Sequence, residues 1–285
     1  MGYGKTGSTA IQEWLAGQQH ALESAGIAYP MPQSGVGDSG NGSMLLEALK
    51  KPTQRPLWLS ESQHGLKGWL FSREQFAREL SEPGRCEQLA RWAQHWGFGS
   101  VQILLFVRDP LEHCYSLWAQ KVKRAGESRS LTAFANNYDA IKMASKFVKQ
   151  ASESKFRVHI FDYGRHREEL LLTCLRWLEV AVPDRGCQFA VINSSLRRNT
   201  FVNITPCRRQ LELQRQLNKL FPVERAYALS RLLLTLPIPV FETQLFYSPI
   251  IERWRSEVLF FNSVSSHYAS EPEAMPCSKP IDAFI

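Results

Sequence analysis

The sequence predicts an α/β fold: a three-layer α/β/α arrangement around a central, mostly parallel sheet, with a helical C-terminal region. Three observations predict it. Residues 101–107 read Val-Gln-Ile-Leu-Leu-Phe-Val, the near-continuous apolar run of a strand buried on both faces of a parallel sheet. Apolar runs of strand length alternate along the chain with stretches of helical periodicity, which is the order that right-handed βαβ crossovers require. The chain also opens with a glycine-rich stretch that leads directly into an amphipathic helical pattern.

Taken in order, Ala10, Ile11, Trp14 and Leu15 stand at helical spacing after that stretch. Residues 35–42 are rich in Gly, Ser, Asp and Asn and read as an exposed loop. The short apolar run at 57–60 after Pro56 reads as a buried strand. Ser72 is expected to cap a helix, with Gln75 completing a capping box. Residues 86–96 are helical, with Leu89, Trp92 and Ala93 on one face. After the strand at 101–107, Asp109 suits an N-cap and Pro110 the first helical position. Leu111, Tyr115, Trp118 and Val122 give that helix its expected buried stripe. A helix is expected over 131–150, a strand over 156–161 and an apolar helix over 168–180. Two further helices, 207–221 and 224–234, are separated at Pro222. The whole is expected to form one domain over 1–285. It comprises an α/β core at 1–196, a mainly helical extension at 197–269 and a loose, proline-rich tail at 270–285.

The chain has 285 residues, 44% of them hydrophobic and 21% charged, which excludes a disordered polyelectrolyte. Its formal net charge is +7 and its pI about 9.1, a balance that favours an anionic partner. No helix-turn-helix, RNP-like or zinc-finger pattern accompanies the charge, so nucleic acid is not the expected partner. The six cysteines form no CxxC pair and match no zinc spacing. Cys114 and Cys174 fall in apolar helical patterns and read as buried thiols, consistent with a reducing, cytoplasmic setting. No secretory leader is expected, and no apolar run has the roughly 18 residues of a membrane span.

The opening stretch carries the first functional signal. Gly4, Lys5, Thr6, Gly7, Ser8 and Thr9 precede a helix. Backbone N–H groups of a glycine-rich turn and of a helix N-terminus surround phosphate oxygens. Lys5 adds a mobile charge, and Thr6, Ser8 and Thr9 add hydroxyl donors. Gly4-Lys5-Thr6 also matches the end of a nucleoside-triphosphate loop, so a P-loop kinase or NTPase is an alternative, with Asp109 its candidate magnesium carboxylate. Such loops normally follow a buried strand. Only Met1 precedes Gly2, so the expected sheet is P-loop NTPase-like with its first strand missing and the assigned start inside the gene.

The segment Tyr3-Gly4-Lys5-Thr6-Gly7-Ser8-Thr9-Ala10-Ile11-Gln12 resembles the 5'-phosphosulfate loop of the PAPS-dependent sulfotransferase family. Phe106-Val107-Arg108-Asp109-Pro110, followed by Tyr115-Ser116, resembles the 3'-phosphate signature of the same family. Looser likeness runs through Ala28-Tyr29-Pro30, Leu59-Ser60-Glu61, the stretch 157–163 and Asn193-Ser194-Ser195-Leu196, so that it covers roughly 2–200. The likeness is greatest to bacterial carbohydrate-directed members and glycan sulfotransferase domains.

The resemblance implies that Thr6, Gly7, Ser8 and Thr9 hold the 5'-phosphate of 3'-phosphoadenylyl sulfate (PAPS). Lys5 would neutralise the leaving oxygen or the transferring group, and Arg108 and Ser116 would bind the 3'-phosphate. It implies a carbohydrate hydroxyl or amine as acceptor and no metal. Glu61, placed at the end of the expected strand 57–60, is the favoured general base. Glu13 is second, since some glycan members use that position, and His64 is recommended only by its nearness to Glu61. His20 and His113 are weaker. Arg197 and Arg198, with the basic stretch through Arg208, Arg209, Arg215 and Lys219, offer cations for the 3'-phosphate or an acidic acceptor. A solvated helix face is the plainer reading of that stretch. Trp58, Trp69, Phe71, Trp92 and Trp96 include possible sugar-stacking rings, most of them better read as core. A sulfotransferase-like protein that binds nucleotide or a partner without turnover is the remaining alternative.

Overall fold

The computed structural model describes residues 8–32, 40–59, 65–180, 208–233 and 282–284. The chain is α/β, with parallel pairing between strands throughout the described sheet. Its strands are β1 (Ile27–Ala28), β2 (Gly68–Leu70), β3 (Val101–Val107), β4 (Arg157–Asp162) and β5 (Asp282–Phe284). The spatial order is β1-β2-β5-β3-β4. β5 pairs with β2 along Gly68↔Asp282 to Leu70↔Phe284 and with β3 at Val101 and Gln102. It therefore joins the β1–β2 pair to the β3–β4 pair.

The helices are α1 (Ser8–Gly17), α2 (Gln19–Ser24), α3 (Gly42–Lys50), α4 (Phe76–Leu80), α5 (Arg85–His95), α6 (Pro110–Ala125) and α7 (Leu131–Ala135). They continue with α8 (Ala140–Glu153), α9 (Tyr163–His166), α10 (Leu170–Trp177), α11 (Arg208–Leu217) and α12 (Val223–Leu233). Packing divides the chain into two compact units. One comprises Met1–Arg108, Ala140–Val191 and Glu257–Ile285; the other comprises Asp109–Asp139 and Ile192–Ser256.

The first unit holds the sheet. Leu15 and Leu22 from α1 and α2, Cys174 from α10 and Leu178 just beyond it cover Ile27, Leu70, Leu104 and Phe106. Side chains alternate along β3, so Ile103 and Leu105, both 0% exposed, are buried on the opposite face. That explains why β3 reads as an unbroken apolar run. Trp58, Phe71, Trp92, Phe98 and Trp69 form a connected aromatic cluster with ring centroids 4.9–5.8 Å apart. Trp69, Phe71 and Trp92 are buried in it, so these three are core and not a sugar platform.

In the second unit, α6 begins as its sequence dictates. The Asp109 Oδ1 accepts from the N–H groups of Leu111 (3.0 Å) and Glu112 (2.9 Å), with Pro110 next in the first turn. α11 docks on α6 through two amides, Gln214 buried and Asn218 half-buried. Gln214 Nε2 donates to the Val122 carbonyl at 3.2 Å, and Asn218 Nδ2 donates to Val122 and Glu127 carbonyls at 2.9 and 3.0 Å.

Several sequence expectations differ from this structure. Residues 57–59 are turn and bend, with Leu57 97% exposed; the strand of this region is β2, which begins at Gly68. Ser72 caps no helix: α4 begins after Gln75, without a side-chain cap, and the Ser72 hydroxyl is engaged with Tyr29. The helix expected over 131–150 breaks between Ala135 and Ala140, where Asn136-Asn137-Tyr138-Asp139 are all weak helix formers. The buried stripe of α6 runs through Cys114, Trp118 and Val122, with His113 and Ala119 beside it, while Leu111 and Tyr115 are only half-buried. In the tail expected to be loose, Asp282–Phe284 is a strand inside the sheet.

Candidate functional site: the carboxyl edge of the sheet

Because the strands are parallel, their carboxyl ends share one edge of the sheet. The residues delivered there are Tyr29 after β1, Ser72 after β2, Arg108 after β3 and Tyr163 after β4. In open α/β sheets this edge is where ligands bind.

Asn41 ties the β1 and β2 ends together. It is 0% exposed. Its Nδ2 donates to the carbonyls of Pro30 and Leu70, each at 3.0 Å, and its Oδ1 accepts from the Ser72 N–H at 2.7 Å. Both ends of one amide are thereby satisfied by main chain where β1 and β2 end. Tyr29 Oη lies 2.7 Å from Ser72 Oγ, and burial pushes the Tyr29 phenol up to about 12, so it stays protonated. Gly42 N–H donates to the Ser72 carbonyl at 3.0 Å. Gly40 has φ +71°, and a Cβ there would stand 2.1 Å from the same carbonyl oxygen. Only glycine fits at that approach.

Arg108 is half-buried. The β3–β4 register pairs Val107 with Asp162, which brings Arg108 alongside Tyr163. The guanidinium carbon lies 5.3 Å from the Tyr163 ring centroid, within cation–π range. Asp162 Oδ1 fixes the start of α9 by accepting from Gly164 N–H at 2.7 Å. The ring thus supports one face of the guanidinium at the sheet edge.

Ser8 and Thr9 form the first turn of α1 and are half-buried. That turn presents N–H groups with no partner inside the helix, which suits an anion. Glu13, one turn on, is exposed. Ser116 is half-buried on α6, in the second unit. One turn before it, His113 is buried, its Nδ1 2.5 Å from Tyr138 Oη, so that histidine is engaged in the interior and is no exposed base.

Gly4, Lys5, Thr6, Gly7, Glu61, His64, Arg197 and Arg198 lie outside the described residues. The strand-edge argument for Glu61 loses its basis, since 57–59 are turn and bend, not strand. Arg215 is withdrawn from the basic stretch. It is buried beside Glu212, with Nε donating to Oε2 at 2.9 Å and Nη1 to the Ser128 carbonyl at 2.8 Å. It is a structural cation, unavailable to a bound anion.

Cys86, Cys114 and Cys174 are buried free thiols. Burial pushes them up to about 12, 12 and 11, which removes them as thiolate nucleophiles at neutral pH. Among the described residues, no cluster of His, Cys, Asp or Glu could hold a metal ion, and no helix is long and apolar enough to cross a membrane. Sequence reasoning gave no role of their own to Asn41, Tyr163 and Gln12, although the last two lie in stretches that carry the resemblance. Asn41 stood in a stretch read as loop, and Tyr163 acquires its role only through the β3–β4 register.

No family model matches the chain, and no curated protein or solved structure matches it.

Proposed function

We propose that this chain is a PAPS-dependent sulfotransferase acting on a hydroxyl or amine acceptor, with a carbohydrate the favoured class. The carrying observation is the pairing of two signatures in one chain. The Gly-Lys-Thr-Gly-Ser-Thr stretch runs into α1, and Arg-Asp-Pro follows β3 with Ser116 eight residues after Arg108. The position of Arg108 at the carboxyl edge, with one face on Tyr163, supports an anion-binding role. The finer architecture, a three-layer P-loop-like sheet, belongs to the same proposal. It is supported by parallel pairing and by burial of both faces of β3.

In this reading Thr6, Gly7, Ser8 and Thr9 hold the 5'-phosphate while Arg108 and Ser116 hold the 3'-phosphate. The acceptor oxygen or nitrogen attacks sulfur in line. The bond from sulfur to the 5'-phosphate oxygen breaks, and Lys5 neutralises the charge left on that oxygen. The acceptor proton passes to a carboxylate, Glu61 or Glu13, and 3'-phosphoadenosine 5'-phosphate departs. The kinase alternative needs Asp109 for magnesium, and that carboxylate is already committed to the first turn of α6.

Incubation with sulfur-labelled PAPS and a panel of glycans, lipids and small alcohols tests the activity. A labelled product is expected without added magnesium. Glu61→Gln is expected to lower turnover at least tenfold, about 1.4 kcal/mol, while sparing nucleotide binding. Unchanged turnover in that variant, with loss in Glu13→Gln, would move the base to Glu13.

A further inference from the structure

Gln12 is a polar residue on α1 that the proposed chemistry leaves unused. It is 2% exposed, and its Oε1 has no hydrogen-bond partner. Leaving a buried acceptor open costs stability, and an unbranched apolar side chain such as methionine fills a similar volume without that cost. The surroundings are polar. A Cβ built on Gly40 would lie 2.7 Å from Gln12 Nε2 and 2.8 Å from Ser72 Oγ, the hydroxyl that pairs with Tyr29. The amide is therefore packed at the carboxyl edge of β1 and β2.

Its direction follows from helix geometry. Gln12 stands four residues after Ser8 and three after Thr9, so the three share a face of α1. Cα–Cβ bonds tilt toward a helix's N-terminus. The side chain of Gln12 therefore leaves α1 on the face that carries Ser8 and Thr9.

We propose that Gln12 is a positioning residue for the ligand of this helix end. Its Oε1 is held open for an N–H or O–H group that a nucleoside bisphosphate brings when its phosphate seats at Ser8 and Thr9. The inference rests on the nucleotide reading above and adds a residue to it. It also assigns the stability lost at Gln12 to ligand recognition.

The test is thermal unfolding and calorimetric titration of the full chain with 3'-phosphoadenosine 5'-phosphate, for the wild type, Gln12→Met and Gln12→Asn. The Met variant is expected to melt at or above the wild-type temperature without ligand, yet to bind the nucleotide about tenfold more weakly. The Asn variant keeps an amide but withdraws it by one methylene, and the same loss of affinity is expected; it also covers failure of the Met variant to pack. Wild-type affinity in a folded variant overturns the role of Gln12 alone. Absence of binding by the wild-type chain overturns the nucleotide reading itself.

Discussion

At Asn41, one side chain makes three hydrogen bonds to main chain from two strand exits and closes the carboxyl edge of the first unit. Replacing it with alanine leaves two carbonyls and one N–H unpaired in a buried setting. Asn41→Ala is expected to cost about 2–4 kcal/mol, read as a lower urea midpoint with an unchanged slope. A smaller loss, below about 1 kcal/mol, would mean that water replaces the amide. Glu127 supplies a pH signature. Its carboxylate is held down to about 2 from 4.5, first by the Arg129 side-chain hydrogen bonds. A depressed carboxylate stabilises above its unfolded value and loses that contribution as pH falls through the folded one. The stability gap between wild type and Glu127→Gln is therefore expected to be present at pH 6 and to close between about 4.5 and about 2. Arg129 is half exposed, so the gap is of order 1 kcal/mol.

At the scale of elements, the best-read ones were those whose pattern depends on local chemistry. β3 was legible because burial on both faces removes polar residues from it. The start of α6 was legible because Asp-Pro encodes both cap and first turn, and the α11–α12 break was legible at Pro222. β2 was missed because Gly68-Trp69-Leu70 is short and the run at 57–59 looks more strand-like. β5 was missed because three residues carry almost no periodicity; only their pairing with β2 and β3 makes them a strand. α11 was read as a basic surface helix, yet its docking depends on buried polar groups. The Glu212–Arg215 pair has side chains 13% and 8% exposed. Arg215→Ala would leave the Glu212 carboxylate without its cation, held among the described residues only by Gln216 Nε2 at 3.3 Å, with an expected cost of about 3 kcal/mol in thermal unfolding. A cost near zero would show that Glu212 turns out to solvent.

For the molecule as a whole, the sheet edge explains how distant segments cooperate. Parallel pairing carries Tyr29, Ser72, Arg108 and Tyr163 to one edge of the first unit, although 134 positions separate the first from the last (163 − 29). The sequence signatures singled out Arg108 as a candidate anion ligand but not its neighbour Tyr163, which reaches it through strand register alone. Asn41 and Gln12 likewise had no role legible in the sequence, since an amide becomes informative only once its partners, or their absence, are known. The central claim is that this edge serves a nucleotide bearing both 5'- and 3'-phosphates. Calorimetric titration with 3'-phosphoadenosine 5'-phosphate in the presence of a chelator tests it most directly. The account predicts saturable binding without magnesium, weakened at least tenfold, about 1.4 kcal/mol, by Arg108→Ala. No binding, or magnesium-dependent binding of a nucleoside triphosphate in its place, would contradict it.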